Sequence, residues 1–346
     1  MKKSAGIITL NDNNNYGNRL QNYAVQVVIN RLGIESYTIE NYPYMNSKKK
    51  YFLRKIKNIG FNRFYSRNPV RRDKFEEFNG NIQYYKRKYS PYLRFSDLDY
   101  VLVGSDQVWN PEFGLDEATN LSTVPPRKRI AFSASFGVNH IEKKSEKLLS
   151  ELTKFKCISV REEKGAEILK DYLGIDAQVL IDPTLLLNKN EWNIVAKKPD
   201  GFSEEKYILT YFLSPMSEKA KKVLQENQRE LKLVELSGKD GMGMNVGPSE
   251  FLYLFSHAEL ILTDSFHACV FSFIYEKPFV VFDRNWTKQS MNSRINTLLE
   301  KFSLERKYID SGLENNIFEH DYSRGYEQLE IEKEKTIDFL KKAFED

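Results

Sequence analysis

The stretch Leu260-Ile261-Leu262-Thr263-Asp264-Ser265-Phe266-His267-Ala268 changes character half-way along. An apolar run passes through Asp-Ser and straight into a second apolar segment, long enough for a helix. That is how a strand buried on both faces reads when a crossover helix follows it, and such strands belong to parallel sheets. The same logic recurs on either side, with strands expected at Tyr207–Tyr211, Leu231–Val234 and Phe279–Phe282. Helices are expected over 217–231 and 248–257, the second with Pro248 just inside its start.

Working toward the N-terminus, further strands are expected at Ala177–Leu180, Cys157–Val160, Ile130–Ala134, Tyr100–Val103, Glu35–Glu40 and Ile7–Leu10. Between the last two, apolar residues at Leu20, Tyr23, Ala24, Val27, Val28 and Leu32 form a helical face, and Gly33 suits the residue just past its end. A charged helix is expected over 141–154, and another over 326–344 with apolar residues at Leu329, Ile331, Ile337, Leu340 and Phe344. The pattern is α/β in two domains, 1–155 and 156–325, followed by a terminal helix over 326–346 that packs back on the first. The length of 346 residues agrees, since a domain takes roughly 150. No internal repeat is visible.

Hydrophobic residues make up 41% of the chain and charged residues 29%, a balance that excludes a disordered protein. The net charge of +4 hides an uneven distribution. Residues 48–94 hold 15 Lys and Arg against Asp73, Glu76 and Glu77, a local +12, so the remainder sums to 4 − 12 = −8. A basic patch on an acidic body argues against a chain that binds nucleic acid over its whole surface. Within the patch, Phe52, Leu53, Ile56, Ile59, Arg63 and Phe64 alternate apolar and cationic positions at helical spacing. Such a helix suits an anionic membrane surface or a solvated face that packs on the first domain.

Cys157 and Cys269 are the only cysteines and both lie in apolar runs, so neither a disulfide framework nor a zinc site is expected, and no carboxylate or histidine cluster calls for another metal. The N-terminus lacks the pattern of a signal peptide and no apolar run approaches the roughly 20 residues of a membrane span. The expected location is cytoplasmic, with peripheral contact at the inner face of the cell membrane through residues 48–94.

In open parallel sheets, ligands bind outside the carboxyl ends of the strands. Four polar clusters fall there. Asn11 to Asn18 can cap a helix and bind hydroxyls or phosphate, with Asn15, Tyr16, Gly17 and Gln21 as the candidate residues; it also reads as an ordinary asparagine-rich turn. Gly104 to Pro111 offers Ser105, Asp106, Gln107 and Asn110 to hydroxyls and Trp109 as a flat apolar face for a sugar; the plain alternative is a core tryptophan beside a turn. Arg161 ends a strand and its planar fork suits a carboxylate or phosphate, or else a pair with Glu162 or Glu163. His267 sits in the first turn of a helix, where it can donate a proton or bind an anion. The glycine-rich stretch 238–247 precedes a helix and could cradle phosphate, though it matches neither a P-loop nor the dinucleotide fingerprint.

In order, these segments resemble the polysaccharide pyruvyl transferase family. The resemblance rests on Asn15-Tyr16-Gly17 with Leu20-Gln21 and Tyr23-Ala24, then Gly104-Ser105-Asp106-Gln107-Val108-Trp109-Asn110 and Ser159-Val160-Arg161-Glu162. It continues through Asp182-Pro183-Thr184, Gly247-Pro248 with Phe251, and Asp264-Ser265-Phe266-His267, covering most of residues 5–300. It implies two Rossmann-like domains arranged as in B-type glycosyltransferases, with the active site in the cleft. It further implies transfer of the enolpyruvyl group of phosphoenolpyruvate to two hydroxyls of a nucleotide- or lipid-linked sugar in cell-surface polysaccharide synthesis, with no cofactor. Arg161 would hold the donor, His267 would contact or protonate it, and Ser265 and Gly247 would line its site. Other members commonly carry Arg-Leu-His where this chain has Ser265-Phe266-His267. Either Lys239, Arg284 or Arg294 replaces that arginine or the donor differs. A nucleotide-sugar glycosyltransferase of the same architecture and a non-catalytic glycan-binding protein are the alternatives.

Overall fold

The computed structural model describes residues 2–41, 68–112, 115–141, 149–203, 205–237, 241–284, 293–304, 306 and 317–345. The chain forms two parallel sheets. In the first, β1 (Ser4–Ile8), β2 (Glu35–Thr38), β3 (Tyr100–Val103), β4 (Arg129–Ala134), β5 (Cys157–Val160) and β6 (Gln178–Val179) lie in the order β2-β1-β3-β4-β5-β6. In the second, β7 (Tyr207–Tyr211), β8 (Lys232–Glu235), β9 (Leu260–Thr263) and β10 (Phe279–Val281) lie in the order β10-β9-β7-β8. Every neighbouring pair is parallel. The interior strands β3, β4, β7 and β9 are buried along their whole length, as the continuous apolar runs require.

Helices α1 (Tyr16–Arg31), α2 (Pro69–Asn79), α3 (Glu163–Leu173), α4 (Lys189–Asn193), α5 (Glu218–Gln228), α6 (Pro248–His257), α7 (Phe266–Ile274), α8 (Ser293–Lys301) and α9 (Ser323–Ala343) connect or cover them. Local signals fix their ends. Asn15 caps α1 by accepting the Asn18 amide, and Gly33 follows its end at φ +81°. Helix α3 stops at Gly174, φ +68°, where the amides of Gly174 and Ile175 return to the carbonyls of Lys170 and Leu169.

The described residues fall into two compact units. Unit 1 lies within Met1–Tyr65, Asn79–Leu186 and Ile331–Asp346, and unit 2 within Ser66–Phe78 and Leu187–Glu330. The boundary expected near Phe155 therefore moves to the far side of β6. The cause is strand pairing: β5 continues the first sheet beside β4, and β6 adds beside β5. Glu162 strengthens the join, since its Oε1 accepts from the Ser135 hydroxyl and the amides of Phe136 and Gly137.

The basic window divides as well. Helix α2 belongs to unit 2, although its sequence lies among strands of unit 1. The expected amphipathic helix over 50–65 lies outside the described residues. Of the helix expected over 141–154, Leu149 is α-helical and Ser150–Lys154 form a short 3-10 turn, while 142–148 lie outside the described residues.

Helix α9 starts in unit 2, where the Tyr326 hydroxyl donates to the carbonyls of Phe273 and Ile274. From Ile331 onward it belongs to unit 1, as expected for a terminal helix packing back on the first domain. There the Tyr100 hydroxyl and the Lys3 ammonium both donate to the Phe344 carbonyl, and the rings of Tyr100 and Phe344 meet edge to face at 5.2 Å. Leu340 is fully buried. Leu340→Ala is expected to lower unfolding stability by about 3 kcal/mol, the usual loss for a buried leucine, measured by urea denaturation.

Candidate active site

Strand order marks where each sheet can hold a ligand. In the first sheet β2 and β3 flank β1 on opposite sides, and in the second β8 and β9 flank β7. Connections leave in opposite directions at β1/β3 and at β7/β9, which opens a crevice at the carboxyl ends of those strands. All four polar clusters singled out in the sequence follow strands of these sheets, and each unit is described separately.

In unit 1 the loops after β1 and β3 are joined by Gln21 on α1. Its amide nitrogen donates to the Thr9 hydroxyl at 2.8 Å, its amide oxygen accepts the Ser105 amide, and Thr9 donates to the Ser105 carbonyl. Gly104 makes this possible: at φ +117° it brings the backbone so close to β4 that an added Cβ would lie 2.2 Å from the Phe132 oxygen. The Ser105 hydroxyl donates to the Ser133 carbonyl and lies 3.3 Å from Asp182. Asn18 donates to Asp106, and the Asp106 amide neighbour Gln107 bonds back to that carboxylate at 2.8 Å.

Arg161 lies at the centre of this cluster. Its guanidinium is almost wholly buried, pairs with Asp182 through one nitrogen and reaches Asp106 at 3.4 Å through another. Burial works against its charge, but the carboxylates of Asp182, Asp106 and Glu162 outweigh it and hold its pKa above the ordinary arginine value. The fork expected to hold a donor carboxylate or phosphate is thus engaged by two aspartates from other loops, and not by the alternative partners Glu162 or Glu163. The carboxylates of Asp106, Asp182 and Glu162 outnumber the buried arginines Arg161 and Arg19, so this edge can accept from hydroxyl groups.

The remaining sequence candidates of unit 1 separate into two groups. Asn15 and Gln107 are partly exposed at this edge, while Asn110 is buried and donates to the Gln107 side chain at 2.9 Å. Tyr16 and Gly17 are buried in the first turn of α1. Trp109 was expected to offer a face to sugar, and instead it is fully buried. Its ring packs on Phe136 and Phe155 and its indole N–H donates to the Thr119 carbonyl, so its role here is packing. Arg19, just beyond the asparagine cluster, is buried beneath the loop after β1 and donates to the Leu10 carbonyl and Asn11.

In unit 2 the corresponding tie is Asp264, which follows β9. Its carboxylate accepts the amides of Leu213 at 2.7 Å and Ser214 at 3.0 Å and the Ser214 hydroxyl, all from the loop after β7. Arg284, after β10, donates to the Asp264 carbonyl at 3.0 Å and approaches its carboxylate at 3.5 Å. Ser265 occupies the N-cap of α7 without capping it through its side chain, and His267 follows in the first turn, buried to 9% exposure. Arg294 lies over the Phe266 ring, 5.7 Å from its centroid. An uncapped helix start beside arginine and histidine favours anions, the opposite of the unit 1 edge. Gly247 is the N-cap of α6, and its amide donates to Glu250. Lys239 lies outside the described residues. Exposed Leu213 is an apolar contact at this edge that no sequence pattern announced.

Among the described residues, no group of three or more His, Cys, Asp or Glu is placed to hold a metal ion. A family model for polysaccharide pyruvyl transferase matches residues 15–285. The chain belongs to that family. No curated protein matches it. Among solved structures, a UDP-bound MnaA from S. aureus is similar with TM-score 0.50 and 13% identity, over 99% of this chain and 96% of that one. The UDP-GlcNAc 2-epimerase of Methanocaldococcus jannaschii, in complex with UDP-GlcNAc and UDP, gives 0.48 and 14% over 98% and 99%. A 2-epimerase described as putative from Listeria monocytogenes gives 0.49 and 12% over 97% and 88%. At such identity the likeness concerns the fold alone: two Rossmann-like units with parallel sheets, of the kind found in B-type glycosyltransferases.

Within this family member, two substitutions test the unit 1 cluster. Asp182→Ala should cost roughly 3–5 kcal/mol, because it strips a buried guanidinium of one partner. Gly104→Ala should cost about 2 kcal/mol or more through strain and overpacking, whereas Gly201→Ala, at φ +68° with open space around it, should cost less. Denaturant midpoints of the three variants check the order.

Proposed function

We propose that the protein transfers the enolpyruvyl group of phosphoenolpyruvate to two hydroxyls of a nucleotide- or lipid-linked sugar, in the synthesis of a cell-surface polysaccharide. Family membership gives the coarse activity. The observation that carries the finer reading is the placement of His267 in the first turn of α7, at the anion-favouring edge of the second sheet beside Asp264 and Arg284.

The donor carries a phosphate and a carboxylate, so it is assigned to unit 2. There Ser265, His267 and the start of α7 line the donor site, with Arg284 and Arg294 as cations in place of the arginine that Ser265 replaces. Gly247 shapes the backbone nearby. The acceptor is assigned to unit 1, where the acidic edge around Asn15, Gln21, Ser105, Asp106, Gln107 and Asn110 can accept from sugar hydroxyls. Arg161 becomes a positioning residue that orients Asp106 and Asp182, since its fork is already engaged by them.

The reaction requires two new C–O bonds at the central carbon of the donor and loss of its C–O bond to phosphate. Of the two hydroxyl protons, one ends on the methylene carbon, making the methyl group, and the other leaves with phosphate. Protonation of the methylene creates an oxocarbenium-like centre, so a proton donor and a fixed anion clamp lower the barrier together. His267 is the proton donor in this scheme. No helix among the described residues is long and apolar enough to cross a membrane. A lipid-linked acceptor would therefore be met by peripheral contact in the cytoplasm, the role proposed for residues 48–94.

Incubation with phosphoenolpyruvate and a panel of nucleotide- and lipid-linked sugars should release phosphate and yield a sugar heavier by a carboxyethylidene group. His267→Ala should reduce kcat by about 10²–10⁴, the usual contribution of a general acid. Absence of both phosphate release and donor binding would overturn the reading. Binding of a UDP-sugar without binding of phosphoenolpyruvate would favour the nucleotide-sugar transferase that Ser265 suggests. Glycan binding unaffected by His267→Ala, with no turnover, would favour a non-catalytic protein.

A further inference from the structure

The loop from the end of β8 to the start of α6 is held from outside by α2. Arg71, on the first turn of α2, is buried and its guanidinium donates to the Gly243 carbonyl and, at 3.4 Å, to the Val246 carbonyl. The guanidinium also lies over the Phe75 ring, its carbon 5.0 Å from the ring centroid. One turn later Lys74 pairs with the buried Glu250 carboxylate at 2.9 Å, and the other oxygen of that carboxylate accepts the Gly247 amide. The Glu250 hydrogen bond, with smaller help from Asp200, raises the Lys74 pKa against the cost of burial. At Gly247 the helix approaches so closely that a Cβ would lie 2.8 Å from the Lys74 backbone oxygen. Both ends of the segment 243–250 are therefore set by α2.

That segment is continuous with the candidate donor edge. Ser237, before the loop, accepts the Phe212 amide at 2.6 Å, and the next amide, of Leu213, is bound by Asp264. The loop meets this network by close contact, since a Cβ at Gly243 would lie 1.9 Å from the Leu236 oxygen and one at Gly241 2.3 Å from the Ser237 oxygen, and the network leads through the start of the β7 connection to Asp264, next to Ser265. Both bonds leave one guanidinium nitrogen, Nη1, whose two hydrogens have directions fixed by the planar group, whereas a lysine ammonium reaches the carbonyls from a flexible stem with no such fixed directions.

We propose that Arg71 and Lys74 are positioning residues for donor binding: α2 sets the conformation of the 241–247 loop, and with it the affinity of unit 2 for the donor. This inference rests on assigning the donor to unit 2. It makes a helix drawn from the basic part of the sequence a determinant of KM, though neither residue touches the reacting atoms.

The test compares Arg71→Ala, Arg71→Lys and Lys74→Gln with Arg72→Ala, a change on the same helix at a largely exposed side chain paired with Asp73. Amide hydrogen exchange of wild type and variants is followed over 212–214 and 241–252. Titration calorimetry with phosphoenolpyruvate, and steady-state kinetics, are run in parallel. Arg71→Ala and Lys74→Gln should speed exchange in both segments and raise KM for phosphoenolpyruvate at least tenfold, with kcat within threefold. Arg71→Lys should recover part of the loss and Arg72→Ala should behave as wild type. Unchanged exchange or unchanged KM in Arg71→Ala, or an equal effect from Arg72→Ala, overturns the proposal. Failure of the wild type to bind phosphoenolpyruvate overturns the donor reading, and the exchange comparison then still decides whether α2 positions the loop. If Arg71→Ala does not fold, Arg71→Lys and Lys74→Gln carry the same comparison.

Discussion

The buried charge of Arg161 is the constraint around which unit 1 is arranged. An isolated guanidinium in a protein interior loses several kcal/mol of hydration, so it persists only where carboxylates and hydrogen bonds replace the water. Asp182 comes from the turn after β6 and Asp106 from the turn after β3, and both meet the arginine at the end of β5. Three loops at the carboxyl edge of one sheet are thereby held in fixed relation. Asn18 extends the tie to α1 by donating to Asp106. The polar crevice at β1/β3 is thus shaped by a charge that does not itself face solvent.

Unit 2 solves the same problem with the sign reversed. Asp264 is the buried ion, and its partners are backbone amides at 213 and 214 with Arg284 beside them. The carboxylate spends its lone pairs on the neighbouring loop, and the helix that follows begins without a side-chain cap. The start of α7, uncapped by the Ser265 side chain, and the arginines beside it then favour anions at that edge, while unit 1 gathers carboxylates at the equivalent place. This difference in local charge, more than any single motif, underlies the proposed assignment of the donor to unit 2 and of the acceptor to unit 1.

The strands and the α/β class were legible because each apolar run is continuous and stops at a polar turn, a signal that depends only on neighbours in sequence. Helix ends at Gly33 and Pro248 were legible for the same reason. The unit boundary was not, since it depends on whether β5 pairs with β4 or starts a new sheet, and pairing between distant strands leaves no local trace. Trp109 shows the limit for site residues. A tryptophan in a polar loop can face a sugar or plug the core, and only the positions of Phe136 and Phe155 decide between them. Arg161 was found at the right strand end, but its partners lie 55 and 21 residues away. Spacing could not reveal that the fork was already occupied.

The uneven charge of the sequence acquires a different meaning once α2 is placed. Composition alone joined residues 48–94 into one basic patch on the first domain. The described part divides between the two units: Arg71 and Lys74 work inside unit 2, on carbonyls and a carboxylate, and Arg87 and Lys88 pair with Asp97 and Glu40 in unit 1. Such cations are partly neutralised within the fold and contribute less to an external field than their number implies. A surface attraction based on this window would therefore draw on the lysines and arginines at 48–67 and on exposed cations such as Arg72 and Arg94, while Arg71 and Lys74 of α2 are engaged within unit 2. A high local charge in sequence is evidence of a binding face only after the charges consumed by the fold have been subtracted.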